Sequence, residues 1–225
     1  MTELIVAFDV ASGREALALA DRLPGLRWAK IGPTLFTREG PALVKEFTQR
    51  GVRVFLDQKW HDIPSVVAEA VGAARELGVS MATVHCLGGQ DMLSAAAHAA
   101  GRDLALVGVT LLTSHGPADV EQVLGRGVPD MGAEATRLAR LAVGAGLRGI
   151  VTSGRELGML REALGREPWI VVPGVRPAGA SADDQTRIVT PAEAIRLGAT
   201  HLVVGRPIVK ASEPSAAFRQ MVEAL

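Results

Sequence analysis

The 225-residue sequence predicts an α/β fold, a single (β/α)8 barrel of the TIM type that spans residues 1–225. Three observations lead to this expectation. Eight short apolar segments rich in β-branched residues recur along the chain, helical patterns separate them, and several of those patterns close on glycine. Strands that alternate with helices pair in parallel through crossover connections, and eight such units in 225 residues favour a closed barrel over an open sheet.

Each predicted strand is a short run of apolar residues with a polar or glycine residue at its carboxyl end or next to it. In chain order the runs are LIVAFD (4–9), RWAKIG (27–32), VRVFLD (52–57), MATVHC (81–86), LALVGVT (104–110), RGIVTS (148–153), WIVVPG (169–174) and HLVVGR (201–206). The barrel fold places active sites at these carboxyl ends, so the polar residues found there are the candidates for function.

The stretches between the strands carry apolar residues at helical spacing, as in residues 13–24, 63–78 and 131–146. Several of them end in a glycine that suits the left-handed position beyond a helix end. These glycines are Gly51, Gly78, Gly146 and Gly198. Helix ends therefore fall just before the third, fourth, sixth and eighth strands.

The composition excludes several classes of partner. There are 24 basic and 24 acidic residues with no basic stripe, so neither nucleic acid nor a membrane surface is expected as a partner. No apolar stretch approaches the roughly 18 residues of a membrane span, and the N-terminus lacks the features of a signal peptide. With Cys86 as the only cysteine, no internal disulfide can form, and a cytoplasmic location is expected.

Charged residues gather where the first three strands end. Asp9 ends the first strand, Lys30 lies on the second, and the segment FLDQKWHDIP brings Asp57, Lys59 and Asp62 to the end of the third. Side chains alternate along an extended strand, so Asp57 and Lys59 would share a face and point to the barrel mouth. An ordinary ion pair could explain two of these residues, and Asp62 could be a helix N-cap before a proline. Together, however, they predict an active site.

The last quarter of the chain predicts a phosphate site. The loops after strands 7 and 8 commonly bind phosphate in these barrels, and here they contain Arg176 and the pair Gly205–Arg206. Arginine grips phosphate through a planar fork of donors. Gln185 lies in a pliable segment that could close as a lid. The alternative is that these residues form only a turn from strand to helix.

At this point the residues resemble a known family. FLDQKWHDIP matches the D-x-K-x-x-D-I-P signature of orotidine 5′-phosphate decarboxylases, with Gln58 and Trp60 as mild departures from it. AFDV, WAKIG, VTLLTSHG, PGVRPAG with DDQTRI, and VVGRPIV follow in the family's order and spacing. The resemblance covers essentially the whole chain and is closest to the bacterial pattern. It implies decarboxylation of orotidylate to UMP and CO2, with no metal and no cofactor.

The resemblance also implies roles for the charged residues. Asp9 would bind the ribose, and Lys30 and Asp57 would belong to the charged network around the ribose and the reacting carbon. Lys59 would be the proton donor. Asp62 would reach into the site of the partner subunit in a homodimer.

A second group of residues would hold the remainder of the nucleotide. Thr113, in the loop after strand 5, resembles the residue that contacts the pyrimidine. Gln185 would bridge base and phosphate from the lid. Arg176, Gly205 and Arg206 would hold the phosphate.

Two alternatives remain open. Related sugar-phosphate decarboxylases and aldolases share the D-x-K-x-x-D element but use Mg²⁺, and the resemblance gives them a glutamate ligand on strand 2, where this chain has Lys30. A catalytically silent phosphate-binding barrel would be expected to lose Lys59 or an adjacent aspartate while keeping Arg206. Cys86 and the histidines His61, His85 and His115 are expected to be structural.

Overall fold

A computed structural model describes residues 2–128, 130–176 and 189–225 of the chain. Its eight strands form a closed barrel in which each strand pairs in parallel with the next and the eighth pairs with the first. The strands are β1 (Glu3–Ala7), β2 (Trp28–Ile31), β3 (Arg53–Trp60), β4 (Met81–His85), β5 (Ala105–Val109), β6 (Gly149–Val151), β7 (Trp169–Val172) and β8 (His201–Val204). The predicted barrel is confirmed, and each strand overlaps its predicted segment.

Helices separate successive strands and cover the outside of the barrel. They are α1 (Gly13–Asp21), α2 (Pro33–Gln49), α3 (Pro64–Glu76), α4 (Gly89–Ala100), α5 (Pro117–Leu124), α6 (Met131–Gly144), α7 (Leu157–Leu164), α8 (Pro191–Arg196), α9 (Arg206–Val209) and α10 (Pro214–Glu223). The four predicted helix-ending glycines all have positive φ. Across the described part of the chain, every helix is too short or too polar to cross a membrane.

Apolar residues fill the barrel in two separate clusters. The larger cluster lies between the strands and the helices. The smaller one fills the interior of the barrel and consists of Ile5, Ala7, Trp28, Phe55, Met81, Val107, Val171 and Val203. Since alternate residues of a strand share a face, the next inward positions along β2, β3 and β4 belong to Lys30, Asp57 and Thr83. The polar side chains therefore stand on top of a packed apolar interior.

Aromatic rings close the amino-terminal end of the barrel. The imidazole of His201 lies between two indoles, with ring centroids 5.6 Å from Trp28 and 4.5 Å from Trp169. Guanidinium groups cover both indoles, Arg53 over Trp28 at 4.4 Å and Arg148 over Trp169 at 5.3 Å. Burial lowers the pKa of His201 to about 4; Glu3 opposes this shift and Arg53 adds to it. This end of the barrel is packed with neutral imidazole and indole rings.

Candidate active site

A cavity of about 220 Å³ opens at the carboxyl ends of the strands. Eight of the ten predicted site residues line it, together with an apolar wall that includes Ala7, Phe55, Val151 and Val203. The eight are Asp9, Lys30, Asp57, Lys59, Thr113, Arg176, Gly205 and Arg206. Residues from seven different strands or their following loops thus meet in one pocket, as the predicted barrel requires.

Asp57 and Lys59 reach the pocket through an irregularity in β3. Leu56 pairs with Ala82 of β4 and Trp60 pairs with Val84, so three residues of β3 lie opposite the single residue Thr83. Lys59 has φ +52°, which makes it the one non-glycine residue with positive φ in the described ranges. Such a conformation is costly for a lysine and is held only where surrounding contacts enforce it. The backbone from Asp57 to Lys59 is therefore not regularly extended, which is the condition on which the predicted alternation depended, although both side chains still line the pocket.

The charged side chains form a chain of alternating sign. Lys30 Nζ lies 3.2 Å from Asp9 Oδ1 and 3.6 Å from Asp57 Oδ2. Lys59 Nζ donates to Asp57 Oδ1 at 2.9 Å. Asp57 is thus held between two ammonium groups, one on each carboxylate oxygen. Each buried charge on Lys30 and Asp57 has a partner of opposite sign, as burial of charge demands.

The electrostatics keep Asp57 ionised. Burial alone would raise the pKa of this carboxyl. The ammonium groups of Lys30 and Lys59, with hydrogen bonds from Lys59 and Thr83, outweigh burial and lower the pKa below its usual value. At neutral pH Asp57 therefore carries a negative charge, which holds the Lys59 ammonium in place.

The opposite side of the pocket carries the arginines. Arg176 follows β7 and is almost fully buried, with Nη1 donating to the carbonyl of Val175 at 3.2 Å. Arg206 begins α9 directly after Gly205, whose Cα faces Ala7 and Asp9 so closely that a side chain there would contact both. Gln185, the predicted lid residue, lies outside the described residues.

Asp62 does not line the cavity of its own barrel. It is exposed, and its Oδ1 accepts a hydrogen bond from the backbone N–H of Ile63 at 2.7 Å. The alternative interpretation of Asp62 as a helix N-cap is wrong, because Ile63 occupies that position and Pro64 begins α3. All six residues from His61 to Val66 are exposed, including the apolar Ile63 and Val66.

Two residues of the site were not predicted. Thr83 accepts a hydrogen bond from the Lys59 backbone N–H at 2.8 Å and donates to Asp57 Oδ1 at 3.1 Å. Gly32 lies against the charged chain, since a Cβ there would be 3.2 Å from Lys30 Nζ and 3.5 Å from Asp9 Oδ1. The available signals were a lone threonine within the apolar run MATVHC and a glycine directly after Lys30's strand.

Cys86 and the three histidines do not line the cavity at the strand ends. Cys86 is fully buried, and burial raises the pKa of its thiol to about 12, so it is a poor nucleophile. The rings of His61 and His85 stack at 5.6 Å. Burial lowers the pKa of His85 to about 4, with His61, Lys59 and His115 adding to the shift. Within residues 2–128, 130–176 and 189–225, no three His, Cys, Asp or Glu side chains group as metal ligands would.

The closed barrel and the charged pocket at its mouth define this protein as an enzyme of the (β/α)8 class. The sequence matches the orotidine 5′-phosphate decarboxylase / HUMPS family over residues 2–221. It is 48% identical to an orotidine 5′-phosphate decarboxylase of Opitutus terrae, covering 99% of this chain and 98% of the relative. It is 50% identical to one of Halorhodospira halophila, covering 95% and 92%.

The fold agrees with this relationship. The crystal structure of an orotidine 5′-phosphate decarboxylase from Lactobacillus acidophilus superposes with a TM-score of 0.89 at 32% identity, covering 100% of this chain and 99% of that structure. The chain therefore belongs to the orotidine 5′-phosphate decarboxylase / HUMPS family.

Proposed function

We propose that this enzyme converts orotidine 5′-monophosphate to UMP and CO2, the last step of de novo pyrimidine nucleotide synthesis, without metal or cofactor. The observation that carries the proposal is the Lys30–Asp57–Lys59 ion-pair chain, which lies in the same pocket as Arg176 and Arg206. Relatives named as orotidine 5′-phosphate decarboxylases that align over nearly the whole chain support the substrate.

The ion-pair chain suits the electronic problem of this reaction. Breaking the bond between C6 and the carboxylate leaves an electron pair in an sp² orbital of the ring, orthogonal to the π system. An ammonium fixed beside C6 stabilises that charge and then donates its proton to the same carbon. Lys59 suits both tasks. Its Nζ is fixed 2.9 Å from Asp57 Oδ1, and its side chain lines the cavity and is one-third exposed. We assign it as the proton donor.

The remaining charges organise the site around Lys59. Asp57 holds the Lys59 ammonium in place through their ion pair, and Lys30 helps to keep Asp57 ionised by pairing with its second oxygen. Asp9, which is more exposed, is available to the ribose hydroxyl groups while it holds Lys30. Lys30 also argues against the Mg²⁺-dependent reaction of the related sugar-phosphate enzymes. Its ammonium already pairs with Asp57 and would repel a divalent cation at the same carboxylate.

The other side of the pocket suits the base and the phosphate. We assign Thr113 to the pyrimidine, and Arg176, Gly205 and Arg206 to the 5′-phosphate, with Gln185 as a bridge between them. Phosphate binding far from the reacting carbon can drive closure of the site, which lowers the barrier instead of only tightening substrate binding.

We further propose a homodimer in which Asp62 acts in the partner subunit's site. Its exposure, its place outside its own cavity and the exposed apolar side chains of Ile63 and Val66 support this arrangement. A two-fold interface would pair the same surface of each copy and give each site one Asp62 from its neighbour.

The test of the reaction is direct. The protein is treated with EDTA, mixed with orotidylate and followed by the ultraviolet change that accompanies formation of UMP. We expect full activity after exhaustive chelation. Loss of activity on chelation with recovery on addition of Mg²⁺, or no turnover of orotidylate at all, would contradict the proposal and favour a sugar phosphate as the substrate.

A further inference from the structure

Thr83 occupies an unusual position beside the irregular part of β3. Three residues, from Asp57 to Lys59, lie opposite it, while the flanking pairs Leu56–Ala82 and Trp60–Val84 keep the parallel ladder. Regular pairing would satisfy the backbone groups of β3 with backbone groups of β4. At Lys59 the acceptor is instead a side chain, because the N–H donates to Thr83 Oγ1 at 2.8 Å.

The same hydroxyl also binds the carboxylate of Asp57. Thr83 Oγ1 donates to Asp57 Oδ1 at 3.1 Å, and that oxygen is the one that accepts from Lys59 Nζ. The contacts form a closed loop: Lys59 N–H to Thr83, Thr83 O–H to Asp57, and Asp57 back to the Lys59 ammonium. One hydroxyl thus fixes both ends of the lysine, its backbone directly and its Nζ through the carboxylate.

This loop matters because the backbone of Lys59 is strained. A lysine at φ +52° returns to an extended conformation unless its neighbours prevent it. Thr83 has no exposed surface, so its hydroxyl bonds to these two groups out of contact with solvent. A valine of the same shape would leave a buried N–H unsatisfied and would remove one donor from Asp57. The expected consequence is a shift of Lys59 Nζ relative to the reacting carbon.

We propose that Thr83 is a positioning residue that holds the Lys59 ammonium in its reactive geometry; this rests on the proposed decarboxylation. Thr83 does not line the cavity, so it acts on the substrate only through Lys59 and Asp57. Its removal should therefore lower kcat and leave substrate binding nearly unchanged.

The experiment compares Thr83→Val, Thr83→Ala and Thr83→Ser with the wild type, measuring kcat, KM for orotidylate, the Kd of UMP and thermal unfolding. We expect Val and Ala to lower kcat by roughly 10- to 100-fold, the size expected for a lost hydrogen bond to a charged group, while KM and the Kd of UMP stay within about threefold. Serine restores the hydroxyl and should keep kcat within about threefold.

Thr110→Val is the matched control. Thr110 is also a buried threonine at the carboxyl end of a barrel strand, but its hydroxyl donates to the backbone carbonyl of Val151 at 3.2 Å. We expect this variant to keep kcat within about threefold despite a similar loss of thermal stability.

Three results would overturn the positioning role. The first is that Thr83→Val or Thr83→Ala retains kcat within threefold of the wild type. The second is that Thr83→Ser is as slow as Thr83→Val. The third is that Thr110→Val is as slow as Thr83→Val. If Thr83→Val does not fold, the alanine and serine variants decide by the same criteria. A wild-type protein that does not turn over orotidylate would remove the proposed function, and this inference with it, whereas an active wild type with an active Thr83→Val variant removes the inference alone.

Discussion

Replacement of Lys59 by alanine should separate catalysis from folding. The substitution removes the ammonium that would stabilise charge at C6 and the proton that would follow it. An electrostatic donor contributes about 10²–10³ to a rate and a general acid about 10²–10⁴. Because one group supplies both effects they do not simply multiply, and we expect kcat to fall by at least about 10⁴, or ~5.5 kcal/mol in activation free energy.

The same substitution should cost little stability. Asp57 keeps Lys30 at 3.6 Å and the Thr83 hydroxyl at 3.1 Å, so its charge is not left without partners. Lys59 itself is one-third exposed, and its ion pair therefore contributes only about 1 kcal/mol to the free energy of unfolding. For a chain of this size the midpoint of thermal unfolding should fall by about 2–4 °C.

The assay follows orotidylate absorbance under saturating substrate, with UMP binding and thermal unfolding measured on the same preparations. Lys45→Ala is the control, because Lys45 is exposed on α2 and lies outside the cavity. It should leave kcat unchanged. Retention of more than about a tenth of kcat by Lys59→Ala, a change of only ~1.4 kcal/mol, would refute the assignment of Lys59.

Arg206→Ala should weaken binding of orotidylate far more than that of orotidine, which lacks the phosphate; equal fractional losses of kcat/KM for the two substrates would contradict phosphate binding by Arg206. Mixing inactive Lys59→Ala and Asp62→Ala proteins should restore activity to roughly a quarter of all sites, since about half the dimers are mixed and each has one intact site; no recovery, once mixed dimers are demonstrated, would exclude a shared site. The pKa of His201 is about 4 in the folded protein and 6.5 when the residue is unperturbed, so between these pH values the folded state binds fewer protons than the unfolded state. The free energy of unfolding should therefore fall as the pH drops through that range. Between pH 7 and pH 5 the free energy of unfolding of His201→Phe should fall by about 2 kcal/mol less than that of the wild type. The measurement is the midpoint of thermal unfolding at both pH values, which should drop less in the variant.

Apolar periodicity predicted the barrel well because it reports burial directly. Each strand had to bury its residues between helices on one face and the barrel interior on the other, which leaves a short apolar run in the sequence. The same reasoning located the mouth of the barrel. Four of the five charged residues at the ends of the first three strands meet in one cavity, and Asp62 does not line it. Strand ends were less accurate: the predicted third strand stops at residue 57, whereas β3 continues to Trp60.

Local geometry within the site escaped prediction for a physical reason. Strand alternation assumes that each residue advances the ladder by one step, and nothing in the letters of FLDQKWHDIP indicates the extra residues opposite Thr83. The sequence also gives no sign of the left-handed backbone of Lys59, because lysine rarely adopts this conformation and the contact that enforces it comes from β4. The interpretation of Asp62 as an N-cap relied on the general preference of aspartate for that position. In the fold, Ile63 occupies the position instead.

The unequal pairing of β3 and β4 has a consequence for recombination between related genes. The segment from Asp57 to Lys59 lies against a neighbouring strand whose Thr83 hydroxyl bonds to both of these residues, so the two strands should be exchanged together. A crossover between residues 60 and 83 would join one parent's irregular strand to another parent's partner strand. Chimeras cut there should lose activity more often than chimeras cut elsewhere in the barrel, even when both halves fold.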